Sequence, residues 1–279
     1  MNPARPAQAT AISGRRAAPA PTPVSGVGLV AIAVLAMAAL AGCAAPPAEE
    51  PADELSGTVI VLAAASLTET FELLEAAFED AHPDVDVVFS FGGSSALAEQ
   101  IVTGGVPADV FAAANESTMQ TVSDAELAVD PELFATNVLA LAVPAGNPAG
   151  VAGLADLARG ELAIALCDVA VPCGSATTQL LELAGVAAAP DTLEPDVKAV
   201  LTRIELGEAD AGLVYVTDVV AAGDAVEAVE VPEAAEVINR YPIAALAEAP
   251  NPDAAAAFVA YVLGPAGRAA LEAAGFGLP

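Results

Sequence analysis

From Thr58 onward the chain alternates short apolar runs with longer stretches whose apolar residues recur at helical spacing. Thr58-Val-Ile-Val-Leu62 is a β-branched apolar run of the kind buried on both faces of a parallel sheet. Ser66 then opens a segment that places Phe71, Leu74, Ala77 and Phe78 on one face of a helix. The order recurs: Val85–Phe89 precedes Ser94, Ser95 and a helix near Ala96–Val102, and Asp109–Ala113 precedes a helix from about Glu116. A second series starts at Val138–Val143, is punctuated by Pro144-Ala-Gly-Asn-Pro148, and continues through Glu161–Leu166, helices after Gly174 and Pro195, and Ala211–Tyr215. Arg240–Leu246 offers one more strand, and two Ala-rich helices follow Asn251-Pro252 and Gly264-Pro265. Alternating strands and helices of this type predict an α/β architecture with a doubly wound parallel sheet covered on both faces. The break between the two series divides it into two lobes, residues 56–137 plus 240–279 and residues 138–239, with crossings near Asn137 and Arg240 expected to act as hinges.

The chain ahead of Thr58 has a different character. Residues 1–42 carry Arg5, Arg15 and Arg16, no acidic residue, and an apolar run from Val27 to Leu40. That run is short against the roughly 20 apolar residues of a membrane span, and small residues follow it, which reads as a cleaved signal peptide. Its end, Leu40-Ala-Gly-Cys43, resembles the bacterial lipobox, which implies lipid on the Cys43 thiol; the plainer alternative is an ordinary signal with a chance cysteine. Residues 43–55, rich in Pro, Ala and acid, have no periodic apolar face and read as a flexible tether. These features place the protein at the cell membrane, lipid-anchored, on the extracytoplasmic face.

Without the three signal arginines, five basic residues remain against 37 acidic ones, a formal charge near −32. Such a surface repels nucleic acid, so no nucleic-acid partner is expected. With Cys43 assigned to lipid, Cys167 and Cys173 remain, and an even count outside the cytoplasm favours a disulfide between them. Metal binding is the weaker reading, because the single histidine, His82, is remote, and a reactive thiol lacks a nearby base.

In open α/β sheets ligands lie beyond the carboxyl ends of strands, where helix N-termini converge. Ser66 and Ser94 both follow a strand and precede a helix, so each could offer a hydroxyl and an N–H to an anion. Taken singly, each is more simply an N-cap, and Tyr215 a core aromatic. Six segments in order change the weighing. Ala63-Ala-Ala-Ser-Leu-Thr68, Phe89-Ser-Phe-Gly-Gly-Ser-Ser-Ala-Leu97, Gly105-Val-Pro-Ala-Asp-Val-Phe111, Val171-Pro-Cys-Gly174, Asp196-Val-Lys198 and Gly212-Leu-Val-Tyr215 together resemble the molybdate-binding proteins of ABC importers. The resemblance spans the whole mature domain and implies the type II periplasmic-binding-protein fold, with the ligand cleft between its lobes.

Carried over position by position, it implies that Ser66 and Ser94 donate hydroxyl and main-chain N–H, Cys173 and Val197 main-chain N–H, and Tyr215 its phenol. The ligand is molybdate or tungstate, held through oxygen with no residue ligating the metal and no cofactor. The sequence departs from the family pattern at Gly93, where a second small polar residue is common, and at Cys173, where Ala is common. A tetrahedral dianion only accepts hydrogen bonds, so an all-donor site suits it while a carboxylate would repel it. The implied partners are an ABC transporter permease and its cytoplasmic ATPase, with the receptor a monomer and not an enzyme. Sulfate, also acceptor-only, is the nearest rival ligand. Phosphate would need an acceptor, for which Asp168 is the carboxylate to inspect. An exported thiol oxidoreductase using Cys167 and Cys173 is disfavoured by five intervening residues, and a ligand-free surface protein would leave the serine-bearing helix starts without a purpose.

Overall fold

The structure, a computed structural model, describes residues 55–279; the signal segment, Cys43 and the tether up to residue 54 lie outside the described residues. Nine strands form the sheet, in the order β2-β1-β3-β9-β4-β7-β5-β6, with β8 also paired to β4. They are β1 (Gly57–Ala64), β2 (Val85–Gly92), β3 (Val110–Ala112), β4 (Ala128–Pro144), β5 (Ile164–Cys167), β6 (Thr192–Glu194), β7 (Ala211–Tyr215), β8 (Val226–Val229) and β9 (Ile238–Leu246). The helices are α1 (Thr68–Ala81), α2 (Ser94–Val102), α3 (Glu116–Asp124), α4 (Pro172–Ala184), α5 (Val197–Glu205), α6 (Val216–Ala222), α7 (Pro252–Leu263) and α8 (Pro265–Ala273).

The α/β architecture expected from the alternating pattern is present, but the sheet is mixed. β1 pairs in parallel with β2 and β3, and β5 in parallel with β6 and β7. Between these groups β4 and β9 run antiparallel to each other and to β7 and β3 respectively. The geometry follows from connectivity: one of these strands carries the chain out of the first group and the other brings it back, so they run in opposite directions. β4 is the seam, pairing with β9 up to Val138 and with β7 from Leu139.

Each parallel group has its own core. The first buries Phe71, Phe78 and Phe258, with the Phe78 and Phe258 rings edge-on at 5.3 Å, and a second cluster around Leu97 and Phe111 covers the other face. These bring the helical positions Phe71, Leu74 and Phe78 inside, as their spacing requires. The second group packs Leu139, Leu141, Ile164, Leu180, Val200 and Leu213. α7 and α8 pack on the first group through Ala254, Ala255, Phe258, Val262 and Leu271. Among the described residues no single helix is long and apolar enough to cross a membrane.

Candidate functional site

The six parallel strands all end at one place. A cavity between the two groups is lined by Ala64–Ser66 after β1, Gly92–Ser94 after β2, Ala114 after β3, Val171–Cys173 after β5, Asp196 and Val197 after β6, and Tyr215 at the end of β7. It lies where the topology of an open sheet puts a ligand. Ser66, Ser94, Cys173, Val197 and Tyr215 therefore share one cavity, although they come from five separate segments.

The hydroxyls are oriented by distant partners. Neither serine caps a helix: the turn containing Ser66 and the helix starting at Ser94 both lack a side-chain cap bond, which removes the N-cap reading. The Ala114 N–H instead donates to Ser94 Oγ at 3.0 Å, and Ser66 Oγ is 3.0 Å from the Tyr241 hydroxyl. Asn239 Nδ2 donates to Tyr215 Oη and to the Ala114 carbonyl, both at 2.9 Å. An N–H thus fills an acceptor position on Ser94 and on Tyr215, so each hydroxyl can turn its hydrogen to another acceptor, for Tyr215 the neighbouring Tyr241 hydroxyl or a ligand oxygen. Burial pushes the Tyr215 phenol well above its ordinary value, reinforced by Tyr241 and Asp218, and Tyr241 is raised by burial too. Both phenols stay protonated, as donors, at neutral pH.

The second group contributes backbone donors. Cys173 and Val197 stand in the first turns of α4 and α5, where N–H groups have no intrahelical acceptor. Pro172 and the Asp196 side chain, which accepts from Ala199 N at 2.9 Å, start these helices at fixed positions. Each helix start adds about 0.3–1 kcal/mol of attraction for an anion, and up to ~2 when partly buried. Among the described residues no Lys, Arg or His lines the cavity.

The Cys167–Cys173 disulfide is formed and joins the end of β5 to the first turn of α4. Both cysteines are buried, which fits a structural bridge and not a working thiol pair. Just after the bridged loop, a Cβ on Gly174 would collide with the Asp168 carbonyl inside it, so only glycine fits there. Asp168 is spent locally, its carboxylate accepting from Ala170 N at 2.8 Å, and it does not line the cavity. Asp196 does line the cavity, and its Oδ1 is engaged as the cap of α5.

The two groups also meet around the cavity. Ser95 Oγ donates to the Ala170 carbonyl at 2.7 Å, and Lys198 Nζ reaches Glu69 Oε1 at 2.7 Å. A Cβ on Gly93 would fall 2.3 Å from the Pro195 carbonyl oxygen. The departure at Gly93 thus has a steric counterpart: backbone approaches backbone across the cleft.

Sequence reasoning marked Asn137 as a crossing but missed its hydrogen-bonding role, and missed Tyr241 and Asn239 altogether. Asn137 and Asn239 are register partners where β4 and β9 cross the seam, both buried, and Asn137 Nδ2 donates to Thr217 Oγ1 at 2.8 Å. A signal existed, since a lone amide in an apolar strand must find a partner, but the partner's identity lay far along the chain.

Comparison with known proteins agrees with this geometry. Residues 59–277 match the family model for the bacterial extracellular solute-binding protein. The molybdate-binding protein ModA of Mycobacterium tuberculosis is 41% identical over 252 residues, covering 89% of this chain and 96% of that one. Among solved structures, the periplasmic molybdate-binding protein of Azotobacter vinelandii superposes with a TM-score of 0.67 at 23% identity, over 79% of this chain and 99% of that one. The sulfate-binding protein SubI of Mycobacterium tuberculosis reaches 0.68 at 19% identity, over 78% and 86%, a likeness of fold alone. The chain belongs to the bacterial extracellular solute-binding protein family, within which a relative at 41% identity is a molybdate-binding protein.

Proposed function

We propose that this protein is an extracytoplasmic receptor that captures molybdate or tungstate between its two halves and delivers it to an ABC permease driven by a cytoplasmic ATPase. The observation that carries the reading is the convergence of hydrogen-bond donors from both halves on one cavity. Hydroxyls of Ser66, Ser94 and Tyr215 and free N–H groups at Cys173 and Val197 converge there, and the adjacent carboxylate of Asp196 is occupied as a helix cap. Such a set of donors satisfies a fully deprotonated tetrahedral oxyanion. The relative named a molybdate-binding protein supports the choice of ligand. The anion is cargo held through its oxygens, and the protein performs no chemistry on it.

In this reading the halves are lobes that hinge where β4 and β9 cross, near Asn137 and Arg240, and closure over the anion creates the surface the permease recognises. Lipid on Cys43 keeps a monomeric receptor beside its permease, with the acidic tether setting its reach; Cys43→Ala should release an intact anion-binding domain from the cell, and continued retention would sink the anchor.

The test of the ligand is thermal unfolding of the mature domain. A ligand at 100 times its Kd stabilises by about 2.7 kcal/mol, or a rise of roughly 5–11 °C for a domain of this size. Molybdate and tungstate should produce it, sulfate and phosphate should not, and an equal shift with sulfate at matched ionic strength would overturn the assignment.

A further inference from the structure

Beside the cavity, three charged side chains form a chain across the cleft. Lys198 Nζ lies 2.7 and 2.9 Å from the two Glu69 carboxylate oxygens and 3.1 Å from Asp218 Oδ1, in ion-pair range. Glu69 belongs to α1 in the first half; Lys198 on α5 and Asp218 on α6 belong to the second. Glu69 follows Ser66 by three residues, Lys198 follows Val197 directly, and Asp218 follows Tyr215 by three and accepts its N–H at 2.9 Å. The three segments that present Ser66, Val197 and Tyr215 are thereby tied together by charge.

The charges are graded in exposure. Asp218 is fully buried, the Lys198 side chain is 21% exposed and Glu69 52%. A carboxylate as deep as Asp218 needs a cation, and Lys198 supplies it within its own half. Burial works against the Lys198 charge, but Asp218 and Glu69 outweigh it and hold the ammonium above its ordinary value. Glu69 is different: it stands exposed in the first turn of α1, where the helix dipole modestly favours an acidic residue. Its negative charge, close to an anion site, disfavours the ligand by field alone. The bond across the cleft gives it a second role, one that joins the two halves.

We infer that Glu69 and Lys198 form an interlobe latch that holds the halves closed over the bound anion, with Lys198 also neutralising Asp218 behind Tyr215. This rests on the anion-receptor reading. The latch and the field make opposite predictions. Glu69→Gln removes a negative charge near a dianion and should tighten binding if field alone matters; if the latch matters, it weakens binding. Glu69→Asp keeps the charge and shortens the reach, so a latch is lost while the field remains.

Molybdate affinity and dissociation rate of the mature domain, measured by calorimetry and stopped-flow for wild type, Glu69→Gln and Glu69→Asp, decide between them. The latch predicts that both variants bind about two- to fivefold more weakly, the range of a partly exposed ion pair, with faster dissociation and unchanged melting of the free domain. In a Lys198→Met/Asp218→Asn background, which removes the cation without stranding the buried carboxylate, Glu69→Gln should no longer weaken binding and, through the field alone, should leave it equal or slightly tighter. Tighter binding by Glu69→Gln alone, unchanged binding by Glu69→Asp, or the same loss with and without Lys198 would each overturn the latch. Absence of molybdate binding in wild type would strike the receptor reading itself, and the latch with it.

Discussion

Replacing Tyr215 by Phe removes a single oxygen and leaves the ring in place, edge-on to Tyr241 with centroids 6.0 Å apart. That oxygen accepts from Asn239, and its hydrogen can turn from the neighbouring Tyr241 hydroxyl to a ligand oxygen. A hydrogen bond to a charged group contributes about 1.5–3 kcal/mol, so the variant should bind molybdate roughly 10- to 150-fold more weakly. The fold should lose much less. Asn239 retains the Ala114 carbonyl, so the net cost is about 1 kcal/mol and a melting point about 2–4 °C lower. Calorimetric titration gives the first quantity and scanning calorimetry of the free domain the second. A variant that melts lower yet binds molybdate within about twofold of wild type would refute the role of the phenol, because it would show the oxygen to be a structural partner of Asn239 alone.

Gly93→Ala places a methyl group 2.3 Å from the Pro195 carbonyl, so the halves must stand apart by about 1 Å; hydrogen bonds to the ligand weaken steeply with such displacement, and affinity should fall on the order of tenfold or more in the same titration, with intact affinity contradicting the close approach. Phe258→Ala empties the centre of the first core, where Phe71 and Phe78 meet it, and should cost about 3–5 kcal/mol by urea unfolding; a cost under 1 kcal/mol would show that packing to be loose. Tyr215 and Tyr241 have folded pKa values raised above their ordinary value of 10.0, so the unfolded chain loses these protons first. Their contribution is complete below about pH 10 and lost as pH rises beyond it; stability unaffected by alkali to pH 11 would contradict their burial as protonated donors.

Much of this was legible in the sequence because the first series of strands is apolar on both faces and each helix carries a clear buried stripe. Phe71, Leu74 and Phe78 went inside as their spacing required. The first half of β4 was not legible: Ala128–Asn137 includes Asp130, Pro131 and Glu132, is largely exposed at its start, and holds as a strand through pairing with β9 across two register shifts. β6, α6 and β8 are too short for periodicity to separate from turns. The five cavity residues were found through ordered motifs, since helix starts alone favour plain capping. Ser66 and Ser94 proved to be held by residues 175 and 20 positions away, a long-range arrangement that no local pattern contains. The hydrogen-bonding role of Asn137, and Asn239 and Tyr241 altogether, escaped for the same reason.

The central claim, that the cavity between the halves selects molybdate or tungstate over other tetrahedral oxyanions, is tested most directly by calorimetric titration of the mature domain with molybdate, tungstate, sulfate and phosphate under one buffer. The account predicts saturable one-to-one binding of molybdate and tungstate, with phosphate and sulfate far weaker. Tight binding of phosphate, or no binding of molybdate, would contradict it.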